Sequence, residues 1–220
     1  LPTGLSWLDI GCGSGALSEA VITKHNPDEV IAIDQSEKFV STAQQRLGNQ
    51  AKCRVGNALS LPLDDASANV TISGLVLNFL PDPEKALAEM KRVTKKGGTV
   101  AVYIWDYAGS MELLKYFWDT AVQLNPNAFS LHESHRFSEA NAEALSAAFK
   151  RAGFAEVETA PIEVTTTFSD FDDYWKPFLG GQGPAPTYVL KLEDTARNHL
   201  RDALAQRLPI KEDGSIPLTA

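Results

Sequence analysis

Three glycines at alternate positions, Gly11, Gly13 and Gly15, stand between an apolar run and a helical one, with acids near them at Asp9 and Asp34. Glycine lets a backbone approach a ligand where any side chain would stand in the way. Trp7, Leu8 and Ile10 read as the end of a buried strand, and Leu17, Ala20 and Val21 fall on one helix face. Strand, glycine turn and helix in that order make a nucleotide-type binding element. Gly11-x-Gly13-x-x-Ala16 satisfies the dinucleotide pattern, and Asp34 lies near the distance expected of a ribose ligand. The same stretch also reads Gly-x-Gly-x-Gly with Asp9 two residues ahead of it. An acid there is poorly placed beside a pyrophosphate but can orient the turn and hold a cationic or amino-bearing ligand. The turn by itself leaves a nicotinamide, a flavin and other nucleotides open.

The elements that must position these residues follow in order. Strands are expected at 5–10, 29–34, 51–56, 69–77 and 99–105. Helices lie between them: one to His25, one capped by Ser36 with Phe39, Val40, Ala43 and Leu47 on its apolar face, and one opened by Asp82-Pro83 with Ala86, Leu87, Met90 and Val93 inward. Strands alternating with helices at these lengths give an α/β fold with a doubly wound, mostly parallel sheet. After 105 the pattern changes. An aromatic helix at 110–124 leads to Asn125-Pro126-Asn127 and two histidines, then to a helix capped by Ser138 and closed by Gly153. A sixth strand is expected at 155–164, a last helix at about 187–208 and a seventh strand at 216–220. The organisation expected is a cofactor-binding half at 1–106, a helical lid insertion at 107–137 and completion of the sheet at 138–164. An aromatic and Gly/Pro-rich lid segment at 165–186 and a C-terminal helix and strand at 187–220 finish it.

Composition narrows the class. The chain has 220 residues, 44% hydrophobic and 22% charged, and a formal net charge of -8. That balance belongs to a globular protein and argues against nucleic acid as a main partner, which needs a basic face. Lys91, Arg92, Lys95 and Lys96 form a local basic cluster that reads as a solvated helix end. No apolar run is long enough to span a membrane. Two cysteines, Cys12 and Cys53, give no disulfide framework, so a cytoplasmic setting is expected, and Cys12 reads as a small filler of the turn rather than a nucleophile. The chain opens Leu1-Pro2-Thr3 without a methionine, which reads as a cut or processed end.

Taken together, Leu8-Asp-Ile-Gly-Cys-Gly-Ser-Gly15, Ile31-Ala-Ile-Asp34, Gly56-Asn-Ala58, Leu61-Pro-Leu, Leu80-Pro-Asp-Pro83 and Glu89-Met-Lys-Arg-Val93 through Gly97-Gly98 resemble the class I S-adenosylmethionine-dependent methyltransferases. The nearest subgroup is the small-molecule type similar to the ubiquinone and menaquinone biosynthesis enzymes. The resemblance implies a Rossmann-like sheet of seven strands with helices on both faces, and methyl transfer from S-adenosylmethionine with S-adenosylhomocysteine as product. It implies that Asp9 and the backbone of Gly11, Gly13 and Gly15 hold the methionine part of the cofactor. Asp34, with Gln35 beside it, would take the ribose. Asn57 stands where the family commonly carries Asp for the adenine amino group, Ala58 supplies backbone there, and Ser73 to Leu75 border the sulfonium. A nicotinamide-dependent reductase is the first competitor, disfavoured because no Tyr-x-x-x-Lys pair occurs. A non-catalytic domain that binds the same cofactor is the second.

Methyl transfer from a sulfonium asks the protein mainly to position and desolvate, so no triad is expected and a general base is optional. Weak candidates for one are His132 and His135, with Asp106 or Glu133 to orient them, and Tyr107. No third ligand supports a metal at the histidines. Ligands sit at the carboxyl ends of parallel strands, which directs Asn78, Phe79, Trp105, Asp106 and Tyr107 towards the acceptor. Trp118, Tyr174, Trp175 and Phe178 would line an apolar pocket for a small, flat or greasy acceptor, or else glue the insertion to the sheet. Arg136 and the run Gly180-Gly181-Gln182-Gly183 could hold an acidic group of the substrate. A small-molecule partner is expected, with no nucleic acid, no membrane, and a monomer or homodimer.

Overall fold

Near-continuous burial along a strand, rather than alternation, marks a sheet covered on both faces. Four of five residues in β1 (Ser6–Ile10) and five of seven in β4 (Ala68–Gly74) are buried in this way. The computed structural model describes residues 1–107, 109, 111–180 and 183–220. It divides the chain into one unit of Leu1–Ile104 with Ser146–Glu158 and a second of Trp105–Leu145 with Thr159–Ala220.

In the first unit, β1 is followed by α1 (Ala16–His25), β2 (Glu29–Asp34), α2 (Glu37–Leu47), β3 (Lys52–Val55), β4, α3 (Pro83–Val93) and β5 (Thr94–Tyr103). All sheet neighbours are parallel, in the order β3-β2-β1-β4-β5. The chain winds outward from β1 to β3 and returns to the other side of β1 at β4, so the order reverses beside β1. That reversal point is where an open α/β sheet leaves a crevice at its carboxyl edge. Local chemistry sets the helix starts: Ser36 accepts from the Phe39 amide, and Asp82 accepts from the Lys85 amide at 2.9 Å ahead of Pro83. β5 begins earlier than expected, at Thr94. Thr94 pairs with Ala68 and Thr99 with Val70, so the register slips there, with Gly97 at φ 76, and the two glycines form an irregularity inside the strand rather than a turn before it.

The second unit carries α4 (Glu112–Leu124), α5 (Glu133–Arg136), the start of α6 (Ala142–Arg151), β6 (Thr165–Phe168), α7 (Phe171–Trp175), α8 (Pro184–Lys191), α9 (Asp194–Arg207) and β7 (Ile216–Thr219). Its core is aromatic: Phe117, Trp118, Tyr174, Trp175 and Phe178 pack with Val189, Leu200, Leu204 and Ile216.

Several expectations are corrected. The main sheet has five strands, not seven, because β6 and β7 pair antiparallel as a separate two-stranded sheet in the second unit. Residues 155–164 form no strand and no sheet completion; they are exposed almost throughout and interrupted by Pro161, which has no amide to give a ladder. The helix after Ser138 starts at Ala142, where the Asn141 side chain accepts from the Ala144 amide at 2.9 Å. The long C-terminal helix is two, α8 and α9, broken at Leu192, whose extended backbone frees a carbonyl that Arg197 donates to at 2.9 Å. Ser110 lies outside the described residues.

Candidate functional site

The carboxyl ends of β1 and β2 run side by side, with Ile10 opposite Ile33, which brings the glycine turn against Asp34. The amides of Gly11 and Cys12 both donate to the Ile33 carbonyl, at 2.7 and 3.0 Å. Gly13 donates to Asp34 Oδ2 at 3.0 Å, and Ser36 donates to Oδ1 at 2.8 Å. Each Asp34 oxygen thus has one partner and, as a carboxylate, capacity for another.

The glycines are not equivalent. A Cβ on Gly11 would meet Val76 Cγ2 at 2.4 Å, and one on Gly15 would meet Leu47 Cδ1 at 3.1 Å. A Cβ on Gly13 would meet nothing within 4 Å, so open space lies over that residue. Gly11 and Gly15 are therefore required by packing, and Gly13 keeps a position clear. All three have positive φ.

Asp9 is buried at 1% exposure, with Oδ2 accepting from the Ser18 hydroxyl at 2.7 Å and Oδ1 without a hydrogen-bond partner. Burial pushes its carboxyl up to about 6, opposed by the Ser18 hydrogen bonds. A buried carboxylate oxygen left without a donor, two residues ahead of the glycine turn, is what an ammonium group would satisfy. Cys12 is buried and its thiol is pushed up to about 12, by burial first and then by Asp9 and Asp34. It is no nucleophile at neutral pH.

Other residues singled out from the sequence fare differently. Gln35 and Asn57 are exposed; Asn57 Oδ1 accepts from the Leu59 amide at 2.8 Å in a local turn, and Ala58 is half-buried. Ser73 is fully buried and its hydroxyl donates to the Ile10 carbonyl at 2.8 Å, tying β4 to β1 rather than facing a ligand. Leu75 has φ 60 and donates its amide to the Tyr103 carbonyl at 2.8 Å. The Asn78 amide is buried with neither its nitrogen nor its oxygen partnered.

In the second unit, Trp118, Tyr174, Trp175 and Phe178 fill the core instead of lining a pocket. Trp118 and Tyr174 are at 0% exposure, and Phe178 stacks on Phe117 at 4.5 Å between centroids. Burying several rings against one another stabilises more than leaving them open to a cavity. Asp106 accepts from the Gly109 amide at 3.0 Å, Trp105 is half-buried, and Tyr107 stacks on Phe137 at 5.0 Å. His132 is buried, its Nδ1 held by Ser134 and its Nε2 3.7 Å from Asp119 Oδ1. Asp119, not Asp106 or Glu133, is its carboxylate partner. His135 is exposed against Phe129. Glu133 is buried, and that burial raises its carboxyl. Gly181 and Gln182 lie outside the described residues.

Residues that the sequence did not single out complete the turn. Val76 closes over Gly11, Ser18 holds Asp9, and the Tyr103 ring lies over Gly74. Arg92 is a clamp rather than a solvated helix end: it donates to the carbonyls of Leu61 and Leu63 at 3.1 and 2.9 Å and pairs with Asp65 and Glu89. Its guanidinium holds the Glu89 carboxyl below the usual range.

Comparison with known proteins fits this geometry. Residues 8–102 match the family model described as a methyltransferase domain. A demethylmenaquinone methyltransferase from Desulfitobacterium hafniense is 36% identical over 103 residues, covering 44% of this chain and 41% of that protein. An arsenite methyltransferase from Halobacterium salinarum is 29% identical over 175 residues, covering 77% of this chain and 42% of that protein. The chain thus spans about four-tenths of the length of these two relatives. Among solved structures, the YcgJ protein of Bacillus subtilis shares the fold at a TM-score of 0.62 with 20% identity, covering 99% of this chain and 89% of that one. No helix among the described residues is long and apolar enough to cross a membrane. Over residues 8–102, a little under half of its length, the chain matches a methyltransferase domain and is similar in sequence to proteins named as demethylmenaquinone methyltransferases.

Proposed function

We propose that the chain transfers a methyl group from S-adenosylmethionine to a small-molecule acceptor by in-line displacement. The observation that carries this reading is the orphan Asp9 Oδ1 just ahead of the glycine turn, with open space over Gly13 and the Gly13 amide held by Asp34. The bound cofactor supplies an already activated methyl group on a sulfonium. The chain's residues have the binding work. Asp9 takes the amine of the methionine part, the turn backbone takes its carboxylate, and Asp34 accepts from the ribose hydroxyls, with Gln35 beside it. Asn57 and Ala58 border the adenine, and Leu75 borders the sulfonium; Ser73 supports that wall through its bond to Ile10. Asn78, with its unpartnered amide, is the residue of the first unit offered to the acceptor.

A small acceptor is supported by the names of the two relatives, one for demethylmenaquinone and the other for arsenite. Trp105, Asp106, Tyr107 and Arg136 are the residues we assign to acceptor selection. His132 and His135 are left as optional bases. The charge of -8 supports an acceptor other than nucleic acid, and the free thiols of Cys12 and Cys53 support a cytoplasmic setting; a monomer or homodimer is the simplest assembly.

Calorimetry with S-adenosylhomocysteine and with NADH tests the cofactor, and transfer of a labelled methyl group to a panel of quinols and other small acceptors tests the reaction. Binding of S-adenosylhomocysteine alone is expected. Binding of NADH instead would overturn the reading, and cofactor binding with no transfer to any acceptor would leave a binding domain in its place.

A further inference from the structure

The second unit holds a cavity of about 310 Å³ between the segment at Leu131 and Arg136 and one face of α8. Pro184, Thr187, Tyr188 and Lys191 recur at the spacing of a single helix stripe, so all four reach the same side. The floor is apolar, from Leu131, Pro184 and the Tyr188 ring. The rim carries two cations, Arg136 and Lys191, from distant parts of the chain.

Cations brought together without an acid between them cost free energy through mutual repulsion unless a ligand sits among them. Among the described residues neither makes an ion pair, and what sets them apart from the other unpaired cations is that both line one cavity over an apolar floor. Arg136 lies over the Phe137 ring at 5.4 Å, which holds the guanidinium plane without neutralising it. Glu133 on the same short helix feels the Arg136 charge, but burial is the larger influence and raises that carboxyl. The positive end of α8 adds to the field, but Pro184 and Pro186 remove two of its first amide donors. An anion here must therefore be recognised by side chains, with the Thr187 and Tyr188 hydroxyls as neutral partners.

We infer that this cavity binds a small organic anion with an apolar body, a carboxylate or phosphate head lying between Arg136 and Lys191 and a flat or short aliphatic body lying on Tyr188 and Leu131. A volume of this size suits a ligand of that scale. Binding of the anion does not require methyl transfer, but the cavity shares Arg136 with the residues assigned above to acceptor selection, so calorimetry without S-adenosylmethionine reads the two apart.

Calorimetry of the whole chain tests it with phenyl phosphate, phenylacetate and, as a neutral match, benzyl alcohol. At least one anion is expected to bind, more weakly as salt rises, and the two anions distinguish a phosphate from a carboxylate head. Arg136→Gln and Lys191→Gln are each expected to weaken that binding roughly tenfold, the loss of one charge-assisted contact. Arg136→Lys, which keeps the charge, should retain part of the affinity. Lys24→Gln, an exposed lysine of the first unit, should leave it unchanged. Circular dichroism on each variant separates loss of binding from loss of fold. Absence of binding by both anions up to about 10 mM, equal affinity for benzyl alcohol, or an equal loss in Lys24→Gln would each overturn the inference.

Discussion

Gly13 donates its amide to Asp34 Oδ2 at 3.0 Å, so the turn after β1 and the acid ending β2 are one unit held by a single charge-assisted hydrogen bond. Replacing the acid thus acts twice, removing a ribose acceptor and loosening the turn. Asp34→Ala is expected to weaken S-adenosylhomocysteine binding at least tenfold, and Asp34→Asn, which keeps one acceptor oxygen, by less. Calorimetry on both variants checks the order.

Asp9 gives a prediction with a sign opposite to that of a paired carboxylate. Its folded carboxyl sits near 6 against an ordinary value of 3.8, because burial disfavours the charge. Between those values the folded chain binds more protons than the unfolded one, so stability falls as pH rises from about 4 to about 6 and stays lowered above. The cost is on the order of 3 kcal/mol. Asp9→Asn removes it. In the absence of ligand the variant should be more stable than the parent above pH 6 and lose that advantage towards pH 4, while binding S-adenosylhomocysteine less well. Urea titrations across that range, with calorimetry at pH 7, read both effects.

Gly11→Ala and Gly13→Ala should separate packing from binding. At Gly11 the added methyl meets Val76 at 2.4 Å and the backbone is left-handed, so a loss of roughly 3 kcal/mol is expected. At Gly13 only the backbone conformation is penalised, by about 1 kcal/mol, yet the methyl enters the space kept for the cofactor. Denaturation should therefore single out the first variant, and calorimetry should show the second as folded but weak in cofactor binding.

Arg92→Gln is expected to destabilise the first unit by about 2 kcal/mol, since the carbonyls of Leu61 and Leu63 and the Glu89 carboxylate lose their donor together. Arg92→Lys should recover little, because one ammonium cannot reach the partners that a fork reaches. Hydrogen exchange at the Leu61 amide, which donates to Glu89 at 2.7 Å, should quicken in both.

Ser73→Ala tests whether that hydroxyl is structural. Loss of its bond to the Ile10 carbonyl should lower the denaturation midpoint by an amount equivalent to about 1 kcal/mol, with S-adenosylhomocysteine affinity nearly unchanged. A large loss of affinity at unchanged stability would return Ser73 to the cofactor.

What the sequence determined by itself was local. Gly11, Gly13 and Gly15 after an apolar run, Ser36 and Asp82-Pro83 at helix starts, and the buried runs of β1, β2 and β4 report backbone geometry within a few residues. Such signals need no knowledge of distant neighbours, and they carry the parallel sheet, the turn and Asp34. Questions of what a side chain faces were decided only by the tertiary structure. An aromatic at helical spacing can line a pocket or fill a core, and for Trp118, Tyr174, Trp175 and Phe178 the rings packed against them settle it as core. Arg92 reads as a solvated charge until Leu61 and Leu63 are brought back beside it. The run at 155–164 has strand composition, yet only its last residue, Val164, exchanges backbone hydrogen bonds with Ala220 at the end of the β6–β7 ladder. Arg136 and Lys191 meet at one cavity only because α8 packs beside the segment at Leu131. Backbone conformation is encoded near where it occurs, whereas burial, pairing and open space belong to residues that only the fold makes neighbours.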